Sequence, residues 1–170
     1  MSLELREAGP DDRQALLELY RRVAAGGELA RRPEEIDAHY VDGFLAAATA
    51  RGLALIAESE AGLVGELHAY APEPASFRHV WSSLTIVVDP TTQGQGVGRA
   101  LFERFLHTIQ QRPDVRRVEL FVRESNARAR AFYESLGFVA EGRFEGRIRR
   151  ADGGLEADIP MAWIRPSQDG

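Results

Sequence analysis

The clearest chemical signal in the chain is a glycine-rich segment, residues 93–99, which lies between an apolar run and a helical pattern. Its glycines alternate at positions 94, 96 and 98, and glycine lets a backbone turn left-handed and lets a ligand approach closely. The first N–H groups of a helix lack partners within the helix and carry the positive end of its dipole. This segment, which we call the glycine loop, therefore favours binding of a phosphate group.

Spacing separates the glycine loop from two common phosphate loops. The P-loop requires a lysine followed by serine or threonine, and the chain contains no lysine. The dinucleotide fingerprint requires a third glycine three places after Gly96, where Arg99 stands. What remains is a Gln-x-x-Gly-x-Gly pattern that starts at Gln93 and ends at Gly98. An ordinary glycine-rich connection between a strand and a helix is the simplest alternative.

Hydrophobic periodicity places the glycine loop in one α/β domain that spans residues 1–170, with a mixed parallel and antiparallel sheet. The predicted order of elements is β-α-α-β-β-β-α-β-α-β-β. Helices are predicted to begin near residues 11, 33, 97 and 126. Strands are predicted over residues 3–6, 53–59, 63–70, 79–89, 115–123, 138–149 and 155–164, the last two joined in a hairpin.

The predicted strand over residues 63–70 carries a row of polar side chains. Glu66, His68 and Tyr70 are two residues apart, so they lie on one face of the strand. Such a row is typical either of a substrate cavity or of the solvated side of an antiparallel sheet.

Composition excludes several classes of protein. A net charge of −5 and a pI near 5.4 argue against a nucleic-acid binder, and no apolar run reaches the roughly 20 residues of a membrane span. The first residues lack the pattern of a signal peptide, and the chain has no cysteine, which favours a cytoplasmic protein. Four scattered histidines without a cysteine partner predict no metal site.

A second motif lies on the predicted helix that begins near residue 126. It starts at Asn126, contains Phe132 and Tyr133, and ends at Gly137-Phe138. Together with the glycine loop, this Asn…Phe-Tyr-x-x-x-Gly-Phe pattern resembles the GNAT superfamily of N-acetyltransferases. The resemblance covers most of the chain and is vague for residues 1–80. It implies the GNAT acyltransferase fold, acetyl-CoA as co-substrate and direct transfer of acetyl to an amine.

The resemblance also implies which residues bind acetyl-CoA. Loop amides would hold the pyrophosphate, and the strand backbone before the loop would pair with the pantetheine arm and polarise the thioester carbonyl. The implied residues are Ile86, Val87, Val88, Gln93, Gly94, Gln95, Gly96, Val97, Gly98, Arg99, Asn126, Phe132 and Tyr133.

Tyr133 is the implied general acid, which would protonate the CoA sulfur. A tyrosine on an apolar helical stripe is otherwise a core residue with its hydroxyl satisfied. Asn126 is otherwise an ordinary helix N-cap.

Two departures from the family pattern bear on the acceptor. Histone-acetylating members carry a glutamate where this chain has Ser82, and ribosomal-protein acetylators carry one where it has Phe121. We therefore expect a small primary amine or an amino-acid-like acceptor. Protein acetylation, and a CoA-binding module without turnover, are the alternatives.

Three further expectations concern the acceptor side and assembly. Glu66 would attract the acceptor's ammonium group, and His68 or a water would take its proton. Residues 26–32 would border the acceptor site or serve as a plain connector. The final hairpin is a candidate homodimer contact.

Overall fold

The computed structural model describes residues 2–167, and its elements follow the predicted order with one strand added near the end. The mixed α/β fold class is confirmed. The strands are β1 Glu4–Glu7, β2 Gly52–Ser59, β3 Gly62–Tyr70, β4 Val80–Val88, β5 Arg117–Arg123, β6 Val139–Ala140, β7 Phe144–Arg149 and β8 Leu155–Ile164. The helices are α1 Arg13–Ala25, α2 Ala38–Arg51, α3 Val97–Gln110 and α4 Ala127–Ser135.

The chain divides into two compact units. The first unit comprises the residues up to Tyr70 together with Thr85–Pro113, and the second comprises Ala71–Leu84 together with the residues from Asp114 onward. A single domain over residues 1–170 stays a prediction. No helix among residues 2–167 is long and apolar enough to cross a membrane.

In the first unit, β1, β2 and β3 form an antiparallel sheet whose two faces are covered by different helices. Helices α1 and α2 supply an apolar core that also includes Ile56 and Val87. Helix α3 packs on the opposite face, because a Cβ on Gly65 would lie 2.8 Å from Val97 and 2.9 Å from Leu101. Gly65 and Glu66 point to opposite faces, so Glu66 lies on the side of α1 and α2.

In the second unit, β5 lies between β4 and β8. It pairs with the start of β4 in parallel register, Val80 with Arg117 and Trp81 with Val118, and with β8 in antiparallel register. Shortly after the paired start, Ser83 has a φ of 55°, which interrupts the regular alternation of β4.

Two predicted boundaries are wrong. Helix α2 begins at Ala38, because Pro33–Glu35 forms a separate 3-10 turn and the Asp37 carboxylate caps α2 by accepting from the N–H of Tyr40. The single strand predicted over residues 138–149 is two strands, β6 and β7, which pair with different parts of β8. The final hairpin between β7 and β8 is confirmed.

Candidate active site

The glycine loop enters helix α3 through two left-handed glycines. Gly94 has a φ of 77° and Gly96 a φ of 86°, a conformation that is costly for other L residues. Nothing lies within 4 Å of the position that a Cβ would take on either glycine, and both are exposed. A ligand can therefore approach the loop backbone and the first-turn N–H groups of Val97 and Gly98, which is the geometry of an anion site.

Asp89 ties the start of this loop to helix α1. Its carboxylate accepts hydrogen bonds from the backbone N–H of Thr91 at 2.9 Å, the hydroxyl of Thr91 at 2.7 Å and Nε of Arg22 at 2.9 Å. Burial raises the pKa of Asp89, but the hydrogen bonds from Thr91 and Arg22 outweigh burial and hold that pKa below its usual value. Asp89 is therefore ionised at neutral pH and anchors the loop.

The polar side chains of the loop bind neighbouring segments of the same unit. Gln93 donates from Nε2 to Glu28 at 2.7 Å, which links the loop to the connection between α1 and α2. Gln95 donates to the carbonyl of Thr91 at 3.2 Å. Arg99 is exposed and lies 3.8 Å from a glutamate one helical turn later.

Of the strand residues before the loop, Val87 is buried and Ile86 and Val88 are half-buried. Val87 belongs to the apolar core under α1 and α2. Ile86 and Val88 face helix α3, because a Cβ on Gly98 would lie 3.7 Å and 3.6 Å from them.

The polar face of β3 is buried, so its interpretation as a solvated sheet surface is wrong. Glu66 is 0 % exposed and His68 is 2 % exposed. The hydroxyl of Tyr20 on helix α1 donates to Oε2 of Glu66 at 2.5 Å. Nδ1 of His68 lies 3.2 Å from both carboxylate oxygens of Glu66 and 3.3 Å from the hydroxyl of Tyr20. We call Tyr20, Glu66 and His68 the buried triad.

Aromatic rings enclose the buried triad. Phe44 stacks on the imidazole of His68, with 4.3 Å between ring centroids. The ring of Tyr70 is also stacked with this imidazole, with 5.9 Å between centroids. Tyr40 packs edge-on against Tyr20 at 5.7 Å. Burial, followed by the charge of Glu66, raises the pKa of Tyr20 well above its ordinary value, so the Tyr20 hydroxyl keeps its proton.

In the second unit, α4 carries the residues of the second motif. Asn126 is the N-cap of α4, where its Oδ1 accepts from the N–H of Ala129 at 3.0 Å. The ring of Tyr133 packs against Phe132 at 5.7 Å and against Phe138 at 6.1 Å. Burial raises the pKa of Tyr133 to about 12, so the Tyr133 hydroxyl keeps its proton across the neutral range.

The two positions where other acetylators carry a glutamate hold no acid in this chain. Ser82 is half-buried on β4. Phe121 on β5 is 48 % exposed and lies 5.8 Å from Phe144 and 4.6 Å from the guanidinium of Arg147. These two phenyl rings line a cavity of about 300 Å³ together with Pro160 and the charged side chains of Arg117, Glu119 and Glu141.

Among residues 2–167, no group of three or more histidine, cysteine, aspartate or glutamate side chains could hold a metal ion. The histidine on β3 is occupied by the buried triad.

Sequence reasoning missed Tyr20 and Arg22. Both lie on helix α1, where helical spacing puts Tyr20 on one buried face with Leu16 and Leu19. One available signal was that a buried tyrosine hydroxyl needs a hydrogen-bond partner. The partners themselves are 46 and 67 residues away along the chain, beyond the range of any local pattern.

Comparison with known proteins identifies the family. The family model described as "Acetyltransferase (GNAT) family" matches residues 13–138 of the chain. The chain therefore belongs to the GNAT acetyltransferase family, and the resemblance drawn from its motifs is confirmed.

Two curated relatives match parts of the chain. The mycothiol acetyltransferase of Beutenbergia cavernae is 57 % identical over 52 residues, 31 % of this chain and 17 % of that protein. The [ribosomal protein bS18]-alanine N-acetyltransferase of Escherichia coli K12 is 53 % identical over 65 residues, 38 % of this chain and 40 % of that protein. The chain thus spans less than half the length of either relative in these matches.

A solved structure matches the fold over nearly the whole length. It is a GNAT superfamily phosphinothricin acetyltransferase from Sinorhizobium meliloti in complex with acetyl-CoA. The TM-score is 0.84, with 19 % identity, and the match covers 99 % of this chain and 95 % of that one. At this identity the match establishes the shared fold.

Proposed function

We propose that this chain is an acetyl-CoA-dependent N-acetyltransferase that acts on a small primary amine. The observation that carries the proposal is the exposed pair of left-handed glycines, Gly94 and Gly96, at the N-terminus of α3. Membership of the GNAT family and the acetyl-CoA-bound fold neighbour support this choice of co-substrate.

The residues present fit acetyl-CoA. The open space above Gly94 and Gly96 admits a diphosphate, and backbone amides near Val97 and Gly98 supply donors without a lysine. Acetyl-CoA supplies an acetyl group activated as a thioester. The proposed binding residues are the loop residues Gln93, Gly94, Gln95, Gly96, Val97, Gly98 and Arg99, the backbone of Ile86, Val87 and Val88, and, on α4, Asn126, Phe132 and Tyr133.

Tyr133 is the proposed general acid. Its pKa of about 12 keeps the hydroxyl protonated, so that it can give a proton to the departing thiolate. Asn126 already serves as an N-cap, and its proposed contact with the pantetheine arm would use the amide nitrogen that the cap leaves available.

His68 is the proposed general base. An aliphatic ammonium group with a pKa near 10.4 needs about 4–5 kcal/mol to become neutral at pH 7, so a proton acceptor is required. Glu66 was expected to meet the ammonium directly, but both of its carboxylate oxygens lie 3.2 Å from Nδ1 of His68. We therefore assign Glu66 to His68, which it holds in place, and assign the proton transfer to His68.

The residues at positions 82 and 121 favour a small acceptor. Ser82 and Phe121 provide no carboxylate at the two positions where the family resemblance places one in protein acetylators, and the ring of Phe121 packs against Phe144. The matched segment of the E. coli relative, which acetylates ribosomal protein bS18 according to its name, favours a second candidate, the N-terminal alanine of a protein.

Thiol release separates these candidates. The chain is incubated with acetyl-CoA and, in separate reactions, small primary amines, amino acids and peptides that begin with alanine, and free CoA thiol is measured. The proposal predicts release with one or more small amines. Release with peptides alone would establish the protein acceptor, and tight acetyl-CoA binding without release would indicate a binding module.

The remaining expectations concern location and assembly. We expect a cytoplasmic enzyme that works on a small-molecule amine without nucleic acid or membrane. The β7–β8 hairpin, with Phe144 and Leu155 exposed, is the proposed homodimer contact. Sedimentation of the wild type and of Leu155→Ser tests the contact, since a dimer built on this hairpin should weaken in the variant.

A further inference from the structure

We infer that Tyr20 is a positioning residue for the proton transfer: it fixes the Glu66 carboxylate, which in turn holds the His68 imidazole in the tautomer whose Nε2 accepts a proton. The inference rests on the proposed function and deepens it by assigning a role to a residue of helix α1. Tyr20 itself touches neither the acceptor nor the co-substrate in this role.

The hydrogen bonds of the buried triad set the direction of each proton. The Tyr20 hydroxyl donates to Oε2 of Glu66 at 2.5 Å. A carboxylate oxygen accepts hydrogen bonds, so the 3.2 Å contacts between Nδ1 of His68 and both Glu66 oxygens are hydrogen bonds in the tautomer that carries its proton on Nδ1. A neutral imidazole that is protonated on Nδ1 leaves Nε2 as its basic nitrogen.

Burial of these three polar side chains would cost stability that packing alone does not require. All three members of the triad are at most 2 % exposed, and buried polar side chains cost stability unless every member is hydrogen-bonded. Apolar residues of similar volume would fill the same space between α1, α2 and β3. A polar triad kept at that cost fits a chemical role better than a structural one.

The surroundings of His68 allow one orientation of its ring. Phe44 on α2 stacks on one side of the imidazole with an interplanar angle of 10°, and Tyr70 on β3 is also nearly parallel to it. Rotation of the ring is thereby restricted, and the carboxylate on the Nδ1 side selects the tautomer.

Other titratable and charged groups face the triad from each packed element. Helix α1 contributes Tyr20, α2 contributes Tyr40, and β3 contributes Tyr70 next to His68. From the α1–α2 connection, the guanidinium of Arg31 lies 4.4 Å from the ring centre of Tyr40. Tyrosines remain neutral near pH 7, so the Glu66 carboxylate is the charge in direct contact with His68.

The proton balance of the step is simple. One N–H bond of the acceptor's ammonium group breaks, and its proton joins Nε2 of His68. The imidazole becomes an imidazolium, whose charge Glu66 offsets, and the acceptor is left as a neutral amine. The imidazolium then returns its proton to solvent before the next turnover.

The decisive experiment reads the His68 tautomer by long-range ¹H–¹⁵N correlation NMR of the full chain. The His68→Gln spectrum identifies the His68 signals among those of the four histidines. We expect wild type to show a protonated Nδ1 and an unprotonated Nε2 at neutral pH. In Tyr20→Phe we expect a shift towards the form protonated on Nε2, because Glu66 loses the donor that fixes it.

Tyr40→Phe is the matched control, since it removes a hydroxyl from the ring that packs against Tyr20 and leaves the triad intact. It should keep the wild-type tautomer. Glu66→Gln should produce the same tautomer change as Tyr20→Phe, and it serves as the second variant should Tyr20→Phe fail to fold. An unchanged tautomer in Tyr20→Phe, or in Glu66→Gln where only that variant folds, overturns the inference.

Kinetics supply a second readout on the same proteins. Loss of the partner that orients a metal-bound histidine typically costs about 10–100-fold, and by analogy we expect a loss of about that size in kcat/KM of Tyr20→Phe, with the Kd of acetyl-CoA unchanged. Tyr40→Phe should stay within about twofold of wild type. Equal activity of Tyr20→Phe and wild type overturns the inference alone, whereas an inactive wild type overturns the proposed function and leaves the tautomer test decisive.

Discussion

The glycine loop and the buried triad lie in the same unit and are built in opposite ways. The loop consists of consecutive residues, is exposed, and offers backbone N–H groups. The triad joins residues that are 46 positions apart, is buried, and depends on side-chain atoms. The proposed function divides the work accordingly: the loop backbone would bind acetyl-CoA, and the side chains under α1 and α2 would take the acceptor's proton.

Tyr133→Phe should have the largest effect and tests whether a residue from a local motif can act on turnover. The hydroxyl would act only as thiolate charge develops, so kcat should fall while acetyl-CoA affinity is retained. General acids contribute about 10²–10⁴-fold. Steady-state kinetics and calorimetric titration check the prediction. An unchanged kcat together with a lower melting temperature would show that Tyr133 is a core residue without a role in turnover.

His68→Gln should impair the acceptor side and spare the loop. Removal of the proposed general base should lower kcat/KM by about 10²–10³-fold, while stabilisation by acetyl-CoA persists. His107→Gln, at an exposed histidine on α3, is the control and should match wild type. Superimposable pH profiles for wild type and His68→Gln would remove His68 from the mechanism.

Gly96→Val should impair the glycine loop and spare the acceptor side. A ligand present at a hundred times its Kd stabilises the folded state by about 2.7 kcal/mol, and a valine at a φ of 86° should remove that shift. Gly153→Val is the control, because Gly153 has the same φ of 86° and nothing within 4 Å of its Cβ position. Both variants should lose intrinsic stability, but only Gly153→Val should keep the acetyl-CoA shift. A shift retained in Gly96→Val contradicts the assignment of the loop.

Asp89→Asn should have the smallest effect, on the anchor between the loop and α1. A hydrogen bond to a charged group contributes about 1.5–3 kcal/mol to the free energy of unfolding. The variant should lose part of this contribution at neutral pH. The pKa of Asp89 is lowered in the folded chain, so its contribution is present above the unfolded pKa and disappears as pH falls through the folded pKa.

Urea unfolding of wild type and Asp89→Asn at neutral and acidic pH checks this sign. The difference between the two should shrink on acidification. The exposed Asp114 provides the control Asp114→Asn, which should unfold like wild type at both pH values. A difference that grows on acidification would contradict the ion-pair account.

The two regions also differ in how far the sequence predicts them. The loop could be located because its glycine spacing and the start of α3 at Val97 are properties of consecutive residues. The face shared by Glu66 and His68 follows from strand alternation, but its burial does not, since alternation alone cannot say which helices cover it.

Tyr20 illustrates the limit of prediction from local sequence patterns. Its position on the buried side of α1 follows from helical spacing, yet its bond to Glu66 depends on the packing of α1 against β3. The start of α2 was missed for a related reason, because Pro33 signals a helix start equally well whether the helix continues or is replaced by a 3-10 turn before Asp37.

The proposed function requires that the glycine loop bind acetyl-CoA and that the acetyl group be transferred to a small amine. The most direct measurement is mass spectrometry of the acceptor and of CoA from one reaction mixture, with wild type and Gly96→Val side by side. The account predicts equal amounts of acetylated amine and free CoA with wild type, and neither product with Gly96→Val at the same acetyl-CoA concentration. No acetylated amine with wild type across the panel, or equal yields from both proteins, would contradict it.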